Sequence, residues 1–342
     1  MIREIQYLRG IAASMVVLFH TIPQLKRMGY TGPEFVILSY GVDIFFVISG
    51  FIMTYISIDT PTSRYKFISN RIIRIVPIYW LLTTFVAILG VIFPFLLQST
   101  QVDLVQYIKS MLFIPYIHPI AHGFFPLLQP GWTLNYEMYF YFIFALFISI
   151  QSDSKYLFMI ASLVFATIIF GQQESSTILC FYGNPIVFEF GMGILLAYIY
   201  VRHNSIFQSK NTFNKGLLTT ASGFALLFLS HGVLPDVNRV FVAGVPSFLV
   251  VMGALFLANA PKRFHSVILE KVGDSSYSLY LSHPIFLSAF GQLFRKVIYP
   301  FTGVATYIVF PVIALLFALI FGYFFYLIIE RYLTRHIKRR FG

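Results

Sequence analysis

An all-α fold, a polytopic membrane helical bundle of about ten transmembrane helices, is predicted by three features of this 342-residue sequence: 58% of its residues are hydrophobic, only 11% are charged, and the apolar residues form long runs. The mean hydropathy is +0.79. A closed β-barrel would show short alternating segments, whereas these runs are continuous. A single cysteine, Cys180, rules out an internal disulfide and a cysteine-built metal site, and no metal is expected.

Apolar windows of about 20 residues, bounded by charges and turn signals, place helices at 8–24, 35–57, 74–97, 132–150, 155–171, 183–201, 215–231, 240–259, 277–295 and 304–329. The first counts as a span and not a removable leader, because no small-residue cleavage pattern precedes the polar IPQLKRMGY. The second is SYGVDIFFVISGFIMTY, and the third follows the basic SRYKFISNRIIR. The fourth opens with PGWTLNYEMYFYFIF, where Trp132 suits an interface anchor. The ninth follows VGDSSYS, and Glu330 closes the last. Residues 98–131, the longest piece between spans, are expected to cap the outer face, and residues 1–342 read as one domain.

An even number of spans puts both termini on one side, and the basic residues choose which. With the termini in the cytoplasm, 18 Lys and Arg residues lie inside and 6 outside, which together make the 24 of the sequence. The inner set includes Lys210, Lys262 and Arg263. The net charge of +11 is then a matter of topology, and a nucleic-acid partner is not needed.

Several polar residues fall inside these spans. In RGIAASMVVLFH, Arg9 and His20 are eleven positions apart, a net helical rotation of about 20° and a rise of about 16 Å. They share a face, with Arg9 at the inner end and His20 in the outer half. Arg9 could be a snorkelling anchor and His20 a packing or capping residue, although a shared face weakens both readings. Asp43 enters the outer half of the second span and needs a partner, for which His20 is a candidate. Gly41 could serve packing, which is the expected role of Ser49 and Gly50. Arg71 and Arg74, three apart, could bind phosphates bidentately or attract anionic lipid headgroups. Glu137 lies one turn into the fourth span among Tyr136, Tyr139 and Tyr141, on the side of His20 and Asp43. His283, followed by a helix-loosening proline, reads as a packing or backbone-bonded residue, and Glu330 as a partner of nearby arginines. Arginines at the cytoplasmic mouth and a base with carboxylates beyond suit a polyanionic donor on one side and an acceptor on the other.

RGIAASMVVLFH resembles the Arg-x10-His motif of the acyltransferase-3 family of integral membrane O-acyltransferases. The resemblance continues through GVDIFFVISGF, NRIIRIVPIYW, WTLNYEMYFY, FEFGMGILLAY and GDSSYSLYLSHP, over nearly the whole chain. It implies ten core helices and transfer of an acyl group, usually acetyl from acetyl-CoA, to a hydroxyl of a cell-envelope or exported carbohydrate, in a bacterial cytoplasmic membrane. The resemblance allows a lipid-linked acceptor, and membrane lipids are expected to surround the protein. By position, Arg9, His20, Arg71, Arg74 and Glu137 match functional motifs of the family, and Asp43 a position that is often acidic. The assignment that follows is catalytic for His20, Glu137 and Asp43, and donor-binding for Arg9, Arg71 and Arg74. Because the chain ends at KRRFG, it is expected to resemble the stand-alone exopolysaccharide or O-antigen members. Direct transfer and an acyl-enzyme both remain open. The rival class, a transporter or flippase of lipid-linked sugars, would also line a path with charges, but no inverted repeat is visible.

Overall fold

The structure, a computed structural model, describes residues 2–60, 62–93, 102–173, 176–208, 211–233, 238–261, 264–299 and 303–341. Lys210, Lys262, Arg263 and the first residues of the expected 98–131 cap lie outside the described residues. Among those described, the chain is all-helical without strands. The long helices are α1 (Arg3–Phe19), α3 (Gly41–Ser57), α4 (Arg64–Ile92), α6 (Gly131–Phe147), α7 (Ser154–Phe170), α9 (Phe188–Arg202), α10 (Thr212–Val233), α11 (Val245–Ala258), α13 (Ser276–Val297) and α14 (Thr306–Phe325). Shorter ones are α2 (Ile22–Arg27), α5 (Leu104–Met111), α8 (Thr177–Tyr182) and α12 (Val267–Asp274), and a π-helical turn, Tyr326–Glu330, joins α14 to α15 (Arg331–Phe341).

Among the described residues, six helical segments are long and apolar enough to cross a membrane: Arg3–Arg27, Val36–Ser57, Arg64–Ile92, Pro185–Arg202, Val240–Ala258 and Thr306–Arg340. The remaining predicted spans are present as helices α6, α7, α10 and α13. Large apolar side chains such as Val91, Phe165, Phe228 and Ile308 stand on the outside of the bundle, a surface suited to hydrocarbon and costly in water. Two helices extend beyond the bounds expected from sequence. The basic SRYKFISNR is helical because the Ser63 side chain accepts from the Lys66 amide at 3.2 Å, so α4 starts ten residues earlier than predicted. The last helix continues to Phe341, carrying Arg331, Arg335 and Lys338 with it.

Glycines let the functional helices approach closely. A Cβ on Gly50 would strike the Phe190 carbonyl, and one on Gly193 the Val47 carbonyl, so α3 and α9 cross backbone to backbone. This is the packing role expected of Gly50. Likewise a Cβ on Gly273 would strike the Gln6 carbonyl, and one on Gly10 would sit 3.0 Å from the Gly273 amide, which fixes α12 and the start of α13 against α1. Aromatic packing fills the space around α6, with Phe140 stacked on Phe190 and Tyr136 on Phe181. At one end of the bundle, Arg202 at the end of α9 binds Asp153 before α7 and Asp59 after α3. Those three connections are the ones predicted to share the inner side.

Candidate active site

Arg9 is buried near the start of α1. Its Nη1 donates to the Gln6 side chain at 3.1 Å, and Gln6 Nε2 in turn donates to Asp274 at 2.6 Å, so the guanidinium is held indirectly by α12. Among the described residues no carboxylate lies within ion-pair distance of it, which leaves its charge available to a ligand. It lines a small cavity of about 80 Å³ together with Glu137, Thr133, Ser276, Tyr277 and Tyr280.

Glu137 lines that cavity from α6. The Ser49 hydroxyl donates to its Oε2 at 2.9 Å, so Ser49 has a bonding role that the packing expectation did not include. Tyr141, one turn on, is near both Glu137 and Arg71. Arg71 and Arg74 are near enough for their charges to act on the carboxylate.

A larger cavity of about 420 Å³ opens beside Arg71 and Arg74. Asn70, Arg71 and Arg74 form its α4 wall, and Tyr326, Glu330, Arg331, Thr334, Arg335 and Lys338 close it from the last helix. Five cations face one carboxylate, and that carboxylate is already engaged by the Ser278 hydroxyl at 2.5 Å. Arg74 is near enough for its charge to act on Arg9, Glu137 and Glu330, so it connects this cavity with the smaller one. Arg71 and Arg74 line this one cavity together. The share of α15 in the site was not legible, because a basic chain end reads as a solvated or lipid-facing tail.

His20 caps the C-terminus of α1, with its Nδ1 2.8 Å from the Val16 carbonyl. A carbonyl can only accept, so Nδ1 carries the hydrogen and Nε2 of the neutral ring presents a lone pair, as a base requires. The ring touches that of His283, with centroids 4.7 Å apart and planes at 61°. His283 shows the same chemistry for a reason written in the sequence. Pro284 has no amide hydrogen for the Tyr280 carbonyl four residues back, and His283 Nδ1 takes that acceptor at 2.7 Å. His283 is 1% exposed, and its Nε2 has no hydrogen-bond partner among the described residues. A buried polar atom left in this way costs about 1–3 kcal/mol.

Asp43 is not with His20. Its carboxylate receives two bonds from Arg239, Nε to Oδ1 at 2.9 Å and Nη2 to Oδ2 at 2.7 Å. Glu189 of α9 is fully buried against the same pair. The expected His20–Asp43 pairing is therefore corrected, since a fully buried carboxylate takes the guanidinium, which offers charge and a matching fork. Glu189 stood in FEFGMG as an acid inside an apolar span, and that was the available signal.

The structure thus groups Arg9, Glu137, Arg71 and Arg74 at one end, His20 and His283 further along α1 and α13, and Asp43, Arg239 and Glu189 apart. Among the described residues no cluster of His, Cys, Asp and Glu could hold a metal ion. The chain is 33% identical over 265 residues to "Exopolysaccharide production protein ExoZ" of Rhizobium meliloti (strain 1021), covering 75% of this chain and 79% of that protein. It is 25% identical over 317 residues to "Peptidoglycan O-acetyltransferase OatA" of Listeria monocytogenes, spanning 82% of this chain but only 48% of that protein. It is also 25% identical over 299 residues to "Putative membrane-bound transacylase BcsY" of Komagataeibacter xylinus, with 82% and 72% covered. No solved structure matches it. The family model described as "Acyltransferase domain" matches residues 2–327, and the chain belongs to this acyltransferase-3 family of integral membrane acyltransferases.

Proposed function

We propose that the chain, as a single integral membrane domain, transfers an acetyl group from cytoplasmic acetyl-CoA to a hydroxyl of a cell-envelope or exported carbohydrate. The observation that carries this reading is the cavity lined by Arg71, Arg74, Arg331, Arg335 and Lys338, linked through Arg74 to the Arg9–Glu137 cavity. Coenzyme A carries several phosphates at one end and its thiol at the end of a long amide-bearing arm. Guanidinium forks suit the phosphates. Arg9 can donate to the carbonyls of the arm, and Glu137 can accept from its amide hydrogens.

With the basic end in the cytoplasm, as the positive-inside rule requires, the arm runs along α1 and α13 towards His20. His20 Nε2 takes the proton of the attacking hydroxyl, the oxygen bonds to the acyl carbon, and the carbon–sulfur bond breaks. The proton then passes to the departing thiolate. Asp43, already bound by Arg239, is assigned to the architecture of the outer end and not to the base. Relatives named for exopolysaccharide production and peptidoglycan O-acetylation support a carbohydrate acceptor.

The test is mass spectrometry of exported and envelope polysaccharide from cells with and without the gene. A mass difference of one acetyl group, dependent on the gene, is expected. Identical masses would overturn the proposal.

A further inference from the structure

We infer that His283 is a substrate-binding residue whose Nε2 accepts a hydrogen bond from the hydroxyl next to the one that attacks, so that His20 and His283 together hold a vicinal diol. The inference rests on the carbohydrate-acylation reading above and identifies what selects the acylated position.

Three observations carry it. First, both imidazoles are locked in the same tautomer by main-chain carbonyls, Val16 for His20 and Tyr280 for His283. Each Nε2 is therefore an acceptor, and neither can satisfy the other in the neutral state. Second, the rings are in contact, with centroids 4.7 Å apart, so two hydroxyls on adjacent carbons of one sugar are close enough together to meet one imidazole each. Third, the His283 Nε2 is enclosed in the bundle without a partner, and a buried acceptor in that condition calls for a donor.

The donor arm is a poor candidate for this atom. The cavity that holds Arg9 and Glu137 reaches Tyr280, and His283 lies about one helical turn beyond it, on the His20 side. The two rings also divide the work by position. His20 is half-buried at a helix end, where a proton can leave, whereas His283 is enclosed in mid-helix. A site that spends an acceptor on the neighbouring hydroxyl discriminates strongly against a sugar lacking it, because the acceptor is then left unpaired.

The experiment compares His283→Leu, His283→Phe and His283→Gln, produced at matched levels in cells that lack the native gene. The degree and position of acetylation on the exported polysaccharide are read by NMR, and acetyl-CoA binding is measured on each purified protein. Leu and Phe remove the acceptor, and Phe keeps the volume of the ring should the Leu protein not fold. Both are expected to lower acetylation by about tenfold or move it to another hydroxyl, with acetyl-CoA affinity kept within about twofold. Gln keeps an acceptor oxygen and is expected to retain position and most of the activity. Unchanged level and position in the apolar variants would make His283 a packing residue and overturn the inference. Equal inactivity of all three with donor binding kept would assign the imidazole to proton transfer instead, and weakened acetyl-CoA binding would assign it to the donor. Absence of acetylation by the native protein would sink the functional reading itself, a result distinct from any of these.

Discussion

Asp43 and Arg239, 196 residues apart in the chain, form a two-bond ion pair in which the carboxylate side chain is 0% exposed and the guanidinium side chain 39%. The guanidinium also lies over the Tyr40 ring, 5.5 Å from its centre, and Glu189 is buried beside them. Helix α3 is thereby fastened to the residue that opens the helical segment Val240–Ala258.

Removing one partner strands the other. Arg239→Ala should lower stability by about 3 kcal/mol, the lower end for breaking a buried pair because the arginine is partly exposed. Asp43→Asn with Arg239→Gln should recover much of that loss. Thermal unfolding in detergent checks both. Equal melting temperatures for Arg239→Ala and the native protein would show that the pair contributes nothing.

Arg71→Lys and Arg74→Lys should raise the KM for acetyl-CoA more than they lower kcat, because a point charge replaces a bidentate fork at a distance from the chemistry. Arg335→Gln should act in the same direction, since α15 shares the cavity. Unchanged donor KM in all three variants would return these residues to lipid contact.

In a Cys180→Ser background, a cysteine at Ser152 should react with a membrane-impermeant maleimide only after the membrane is opened. One at Gln172, at the other end of α7, should react in intact cells whose outer layers admit the reagent. The reverse pattern would invert the orientation and place the proposed base on the donor side.

Outside the spans, the Arg202 guanidinium beside Asp153 holds that carboxyl below the usual carboxylate range. A depressed carboxyl stabilises the fold above its unfolded value, about pH 4, and loses that contribution as pH falls through the lower folded value. Arg202→Gln should therefore cost less than about 1 kcal/mol at neutral pH, both side chains being over a third exposed, and nothing in strong acid. Melting curves across pH 2–7 test the convergence.

The helical class was legible because continuous apolar runs leave no other membrane fold, and the Arg9–His20 spacing was legible because helical geometry is fixed by residue count. Partners across the bundle were not. Nothing local ties Asp43 to Arg239 or Ser49 to Glu137, since those contacts depend on how helices rotate against one another. His283 was visible as an odd residue before a proline. That the proline releases the Tyr280 carbonyl, and that the histidine takes it, follows from sequence once asked, but its contact with His20 does not.

The most direct measurement is turnover of purified His20→Gln at saturating acetyl-CoA, with donor binding measured on the same sample. Glutamine keeps much of the volume and a hydrogen-bonding group but cannot take the proton. The expected result is a loss of about 10² to 10⁴ in rate with acetyl-CoA affinity and monodispersity unchanged. Turnover close to that of the native protein would show that His20 is structural and contradict the mechanism.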